Sequence, residues 1–156
     1  MTTNNVTRLL TSRKIPHTIF ELPLEKLGAL VTAERLDVPP EMVFKTIVIT
    51  QKKPGKPVLA LVNALQEADL KLVARALKTK KVSLPTQDEA EKLTGLQAGG
   101  ISPLALTGKP FLVLLDESAQ DFEEIHISGG QRGLNIRLPV KDFIKLTKAR
   151  VAKIGR

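Results

Sequence analysis

A β-branched run, Thr46-Ile47-Val48-Ile49-Thr50, is followed by Lys53-Pro54-Gly55-Lys56 and then by Val58-Leu59-Ala60-Leu61-Val62. Branching at Cβ suits the first run to a buried strand. The Pro-Gly pair turns the chain, so the second run returns beside the first as a hairpin. Helical patterns surround this hairpin. Asn5 to Lys14 places Val6, Leu9 and Leu10 on one face and is stopped by Pro16. Leu27 to Leu36 brings Leu27, Leu30, Val31 and Leu36 roughly into phase. Pro39-Pro40-Glu41 suits the first turn of a helical segment carrying Met42 and Val43. Asp69 caps a helix from Leu70 to Leu77, and Thr86-Gln87-Asp88-Glu89 is a capping box for a helix reaching about Leu93, before Gly95. Val140 to Ala149 is an amphipathic helix that closes the chain.

Further strands are expected at His17–Glu21, Lys81–Leu84 and Phe111–Leu115, the last as the clearest central strand. Glu124–Ile127 and Leu134–Leu138 alternate as half-exposed strands do. Hairpins mixed with helix crossovers imply a mixed α/β (α+β) fold, with a mixed or barrel-like sheet flanked by helices. The alternation is too irregular for a doubly wound parallel sheet. No linker, repeat or low-complexity tract divides the 156 residues, so one domain over 1–156 is expected.

The chain has no Cys, which removes disulfides, thiolate catalysis and zinc–thiolate sites. Its two histidines have no metal-type partner at helical spacing, and no metal or cofactor is expected. The start, Met1-Thr2-Thr3-Asn4-Asn5, has no signal-peptide character, and no window reaches the length of a membrane span. A cytoplasmic protein with no membrane partner is the expectation. The net charge of +8, from 24 basic and 16 acidic residues, favours polyanions such as nucleic acid, or is simply a solvated basic surface. With five Phe and no Tyr or Trp, a base-stacking platform is disfavoured, so a nucleic acid would be held by phosphate and shape.

Three segments are candidates for chemistry. Lys45, in Val43-Phe44-Lys45-Thr46, stands where a helical segment meets a buried strand. Its ammonium either snorkels to solvent or points into a cavity and holds negative charge there. Gly99-Gly100-Ile101-Ser102-Pro103-Leu104 is either a turn closed by Pro103 or a loop whose N–H groups surround a developing oxyanion. It lacks the Gly-Lys-Ser/Thr ending of a nucleotide-hydrolase phosphate loop. Ser128-Gly129-Gly130-Gln131-Arg132-Gly133 is either a plain hairpin turn or a binding loop, with Arg132 on phosphate and Ser128 as a donor. Asn135 lines a pocket or faces solvent. His126, flanked by Ile125 and Ile127, is expected to face solvent, and neither histidine suggests a triad.

Taken together, Val43-Phe44-Lys45-Thr46, Gly99 to Leu104, and Ser128 to Ile136 resemble the three signatures of the YbaK/EbsC family. Asp69-Leu70-Lys71 and Lys80-Lys81-Val82 add to the likeness, which spans nearly the whole chain. The resemblance implies an editing fold similar to the insertion domain of bacterial prolyl-tRNA synthetases. It implies trans-editing deacylation of misacylated tRNA, most closely of cysteine from tRNA for proline, with cysteine on tRNA for cysteine as a further substrate. Alternatives are another small amino acid such as alanine, or a non-catalytic binding protein of the same fold. It assigns Lys45 and Gly100 as catalytic. It places Phe20, Leu27, Thr46, Gly99, Ile101, Ser102, Ser128, Gly129, Gly130, Arg132 and Asn135 at the substrate. The implied partners are the acceptor end of aminoacyl-tRNA and prolyl-tRNA synthetase. In the cysteine-specific subgroup the substrate's own thiol attacks its ester, so no protein nucleophile is needed. This chain departs from relatives at Asn135 (often Asp), Phe44 and Phe20 (Tyr), Leu27 (Phe) and Ala105 (Gly).

Overall fold

A computed structural model describes residues 3–156. The chain runs through α1 (Asn5–Ser12), β1 (Thr18–Glu21), α2 (Ala29–Leu36), β2 (Phe44–Gln51), β3 (Val58–Asn63), α3 (Leu70–Leu77), β4 (Val82–Ser83) and α4 (Gln87–Thr94). It continues through β5 (Leu112–Asp116), β6 (Glu124–Ser128), β7 (Leu134–Pro139), α5 (Val140–Thr147) and β8 (Arg150–Ala152). Short 3₁₀ turns occupy Pro40–Met42, Pro103–Leu106 and Glu117–Asp121.

The expected hairpin forms: β2 and β3 pair antiparallel from Phe44 opposite Asn63 to Ile49 opposite Val58. It is the middle of a five-stranded sheet ordered β4-β2-β3-β5-β8, in which β3, β5 and β8 run parallel. The second sheet is antiparallel, with β7 between β1 and β6. The sheet expected to be barrel-like is therefore two sheets, which meet at a parallel bridge between Val43 and His126. Leu10, Leu59, Leu61, Leu115, Ile125, Ile127, Ile136, Leu138 and Phe143 fill the main core, and α3 buries Val73 over the opposite face of the five-stranded sheet. Each fully buried Leu, Ile or Phe contributes roughly 1.5–3 kcal/mol of transfer free energy.

Helix ends follow the capping residues. Asp69 accepts from the N–H groups of Lys71 and Leu72, and Thr86 and Glu89 complete their reciprocal box. Glu89's carboxyl lies below its ordinary range because the Thr86 N–H and hydroxyl favour its charged form. Gly95 ends α4 at φ 71°.

Three local expectations need correction. Helix α2 begins at Ala29, with Gly28 before it, and it buries Thr32 and Ala33 while Leu30 and Val31 are 51% and 40% exposed. The expected stripe therefore splits, with Leu30 and Val31 facing outward and Leu27 and Leu36 half-buried. Strands β6 and β7 are not half-exposed: Ile125, His126 and Ile127 are all fully buried. Alternation sorts residues between two faces, and here both faces are covered, one by the main core and the other by Val43 and Phe20. Strand β5 is interior as expected, hydrogen-bonded to β3 on one side and β8 on the other. Helix α5 stops at Thr147, and the charged stretch after it supplies the edge strand β8. Among the described residues, no helix is long and apolar enough to cross a membrane.

Candidate active site

Strand β2 begins at Phe44, directly after the bridge between the two sheets, and so carries Lys45 and Thr46 to the junction. There a cavity of about 290 Å³ is lined by Lys45, Thr46, Gly99, Ile101, Ser128 and Asn135, with Leu27 and the start of α2 across from them. All three sequence signatures thus border one hollow. Lys45 also borders a second groove with Ile47, Glu67, Lys71 and Arg156. The ion pairs among the described residues are Arg137–Glu124 and Arg156–Glu67, so the Lys45 ammonium has no carboxylate partner. The Thr46 hydroxyl is buried and makes no hydrogen bond. An unmet buried hydroxyl costs about 1–3 kcal/mol unless a ligand or water completes it.

The first glycine loop is shaped by a tight turn. The Gly100 N–H donates to the Gln97 carbonyl at 2.8 Å, with Gly99 at φ 90° in the position that demands a positive angle. Gly100 is needed for close approach: a Cβ there would lie 2.7 Å from Gln131 Cα. The Gly100 N–H is thus committed inside the loop and is not available to an oxyanion. The N–H groups of Gly99 and Ile101, at the cavity wall, make no hydrogen bond among the described residues.

The second loop is fastened to the first. Arg132 Nε donates to the Ala98 carbonyl at 2.6 Å, which makes it a staple between loops. Gly129 N–H donates to the Leu134 carbonyl, Gly130 N–H to Ser128 Oγ, and Asn4 Nδ2 to the Gly129 carbonyl. Ser102 is fully buried and caps the turn after it by accepting from the Leu104 N–H. Gly100, Ser102, Gly129, Gly130 and Arg132 therefore build the wall from behind, and none of them lines the cavity. Phe20 also stands outside it, with its ring 5.3 Å from His126 and the Arg137 guanidinium 5.4 Å above it.

His126 is the clearest departure from expectation. It is fully buried, and its Nδ1 lies 3.0 Å from Asn135 Oδ1. Burial pushes its pKa down, aided by the Arg137 charge and opposed by Asn135 and Glu124. Sequence reasoning also missed Glu25, Lys26 and Thr32, which line the cavity. Their only signal was closeness in sequence to Leu27 and the start of α2.

Residues 28–146 match the family described as an aminoacyl-tRNA editing domain. The chain is 35% identical to the Enterococcus faecalis protein named "Putative Cys-tRNA(Pro)/Cys-tRNA(Cys) deacylase EbsC", over 96% of this chain and 92% of that one. It is 28% identical to an Escherichia coli protein named "Multifunctional Ser/Thr-tRNA deacylase ProXp-y", over 64% of this chain and 59% of that one. Its fold matches a crystal structure described as "a putative trans-editing enzyme for prolyl tRNA synthetase", with TM-score 0.82 and 24% identity over 100% of this chain and 99% of that one.

Proposed function

The chain belongs to the aminoacyl-tRNA editing domain family and is an aminoacyl-tRNA deacylase that edits misacylated tRNA; we propose that its substrate is cysteine carried on tRNA for proline. The observation that carries this reading is the cavity at the sheet junction. It gathers the unpaired Lys45 ammonium, the unmet Thr46 hydroxyl and the unbonded Gly99 and Ile101 N–H groups, and a chain without Cys offers no thiol of its own. The similarity to EbsC supports the choice of amino acid.

In this reading the whole chain, 1–156, is one deacylase domain. The Gly99 and Ile101 N–H groups hold the ester carbonyl oxygen as it gains negative charge. Lys45 anchors the terminal adenosine through phosphate or ribose. Thr46 and Ser128 orient the aminoacyl group. Leu27 forms the apolar wall. The substrate's sulfur attacks its own carbonyl carbon, the carbon–oxygen ester bond breaks, and the released tRNA hydroxyl takes up the thiol proton. The resulting strained thioester of cysteine then opens with water. The protein's work is orientation and charge stabilisation, which suits a site without a nucleophile. A cavity of this size sits at the lower end for ligand sites and fits a small aminoacyl group.

The basic surface holds the acceptor stem without base readout. Prolyl-tRNA synthetase supplies the tRNA specificity as a partner, and the protein works in the cytoplasm. A second reading is favoured by the E. coli relative and by the polar wall of Thr46, Ser128 and Asn135: a serine or threonine ester takes the cysteine's place.

The test is deacylation of tRNA for proline charged with cysteine, alanine or serine. Cysteine should be cleared fastest, and alanine, which lacks the thiol, slowest. Equal rates for cysteine and alanine would reject thiol-assisted cleavage, and faster serine release would favour the second reading.

A further inference from the structure

The pair behind the cavity wall fixes which end of the Asn135 amide meets the substrate. In register, β7 sets Asn135 opposite Ser128 on β6 and opposite Phe20 on β1. Asn135 is 5% exposed, and what remains open faces the cavity. His126 lies beside it, sealed from solvent, with its Nε2 buried and unpartnered.

The hydrogen-bond inventory decides the proton. Asn135 Oδ1 only accepts, so the 3.0 Å contact requires the proton on His126 Nδ1. Nε2 is then a bare lone pair. The opposite amide orientation would put Nδ2 against the ring and force the proton onto Nε2, leaving a buried donor with no partner. Orphaned buried N–H groups are the rarer and costlier defect. A doubly protonated ring would also carry that orphan donor, with charge added in a sealed site beside Arg137. The neutral ring with Nδ1–H is the arrangement left. It turns the Asn135 NH₂ group away from the ring and toward the cavity.

We propose that His126 is a positioning residue that locks Asn135 with its NH₂ group in the cavity, so that this wall receives an acceptor atom of the aminoacyl end and not the α-ammonium. The inference rests on the deacylase reading for its substrate and on geometry alone for its proton. A carboxylate at the same position would attract the ammonium, whereas an NH₂ group gives that cation no acceptor. The wall therefore tolerates loss of the substrate's amino group.

Two measurements test it. Nitrogen-15 NMR of the whole protein with labelled histidine reads the tautomer directly. The chain has two histidines, so a His17→Gln variant assigns the signals. The expected result is a neutral His126 with its proton on Nδ1, and a proton on Nε2 overturns the proposal. The second measurement compares tRNA esters of cysteine and of its α-hydroxy analogue, which differ only in ammonium against hydroxyl. The native protein should separate them by less than about threefold, and N135D should favour the amino ester by about tenfold. His126→Phe, checked for folding by thermal melting, should lower turnover of both esters and leave the amide free to rotate. A tenfold preference for the amino ester in the native protein, unchanged in N135D, overturns the proposal. Failure to cleave either ester removes the deacylase reading, while the NMR result still decides the tautomer.

Discussion

Two buried polar sites in this protein are built in opposite ways. Asp116, at the end of β5, is almost fully enclosed and completely paired. Its Oδ1 accepts from the N–H groups of Ile154 and Gly155, and its Oδ2 accepts from the Ser118 N–H and Gln66 Nε2. Burial alone would raise its pKa, but hydrogen bonding from the Ser118 side chain and from the N–H groups of Ile154, Gly155 and Ser118 outweighs it and holds the carboxyl below its ordinary 3.8. At the sheet junction, Thr46 Oγ1 and His126 Nε2 are buried without partners. A site whose lone pairs are all met has nothing left to offer a ligand. The site with unmet groups is less stable than it need be and is the one positioned to bind.

The largest effect expected from this contrast is at the paired site. Asp116→Ala leaves four donors without an acceptor and should destabilise the fold by about 3–4 kcal/mol in urea unfolding, with the deacylation rate per folded molecule unchanged. A large loss of turnover at unchanged stability would reverse the assignment of the two sites. At the unpaired site, Lys45→Ala should reduce deacylation by about 100-fold with an unaltered thermal midpoint. Near-native turnover in that variant would end Lys45's role. Thr46→Val removes the unmet hydroxyl. Its stability should stay within about 1 kcal/mol of the native protein, or rise, while turnover falls about tenfold.

The smallest effect is the pH dependence of stability. His126 has a lowered folded pKa, so the unfolded chain binds its proton first as pH falls. Stability should be full above the ordinary 6.5, and should decline as the pH drops from there through the folded value. Arg137 and Glu124 face the ring with opposite effects. His126→Phe should flatten this limb, leaving the separate acid loss below 3.8 that Asp116 contributes. An unchanged limb would show that other groups govern it.

Much of this architecture was readable from local pattern. The β2–β3 hairpin, the Asp69 and Thr86 caps and the Gly95 stop depend on neighbours in sequence. Residues of all three signatures border the one candidate cavity. Which of their residues face the cavity was not readable, because Gly100 and Arg132 spend their contacts on the opposite loop, across a distance that sequence does not show. His126 was misplaced for the same reason. Strand alternation separates it from Ile125 and Ile127, but only tertiary packing covers the second face. The exposed Leu30 and Val31 of α2 show that helical phase alone does not say which side is inside.

The backbone contact between Gly100 and Gln131 has one more consequence. With Arg132 pinned to Ala98, the two loops form a single stiff jaw. The facing jaw is the 22–28 segment, joined to its surroundings by the Leu22 N–H to the Gly133 carbonyl and by Lys26 to Gln87. On the proposed reading of the cavity, adapting this enzyme to a bulkier amino acid means reshaping the lighter jaw, around Leu27. On that reading, the fastened glycine loops are the fixed gauge against which any new cargo would be sized.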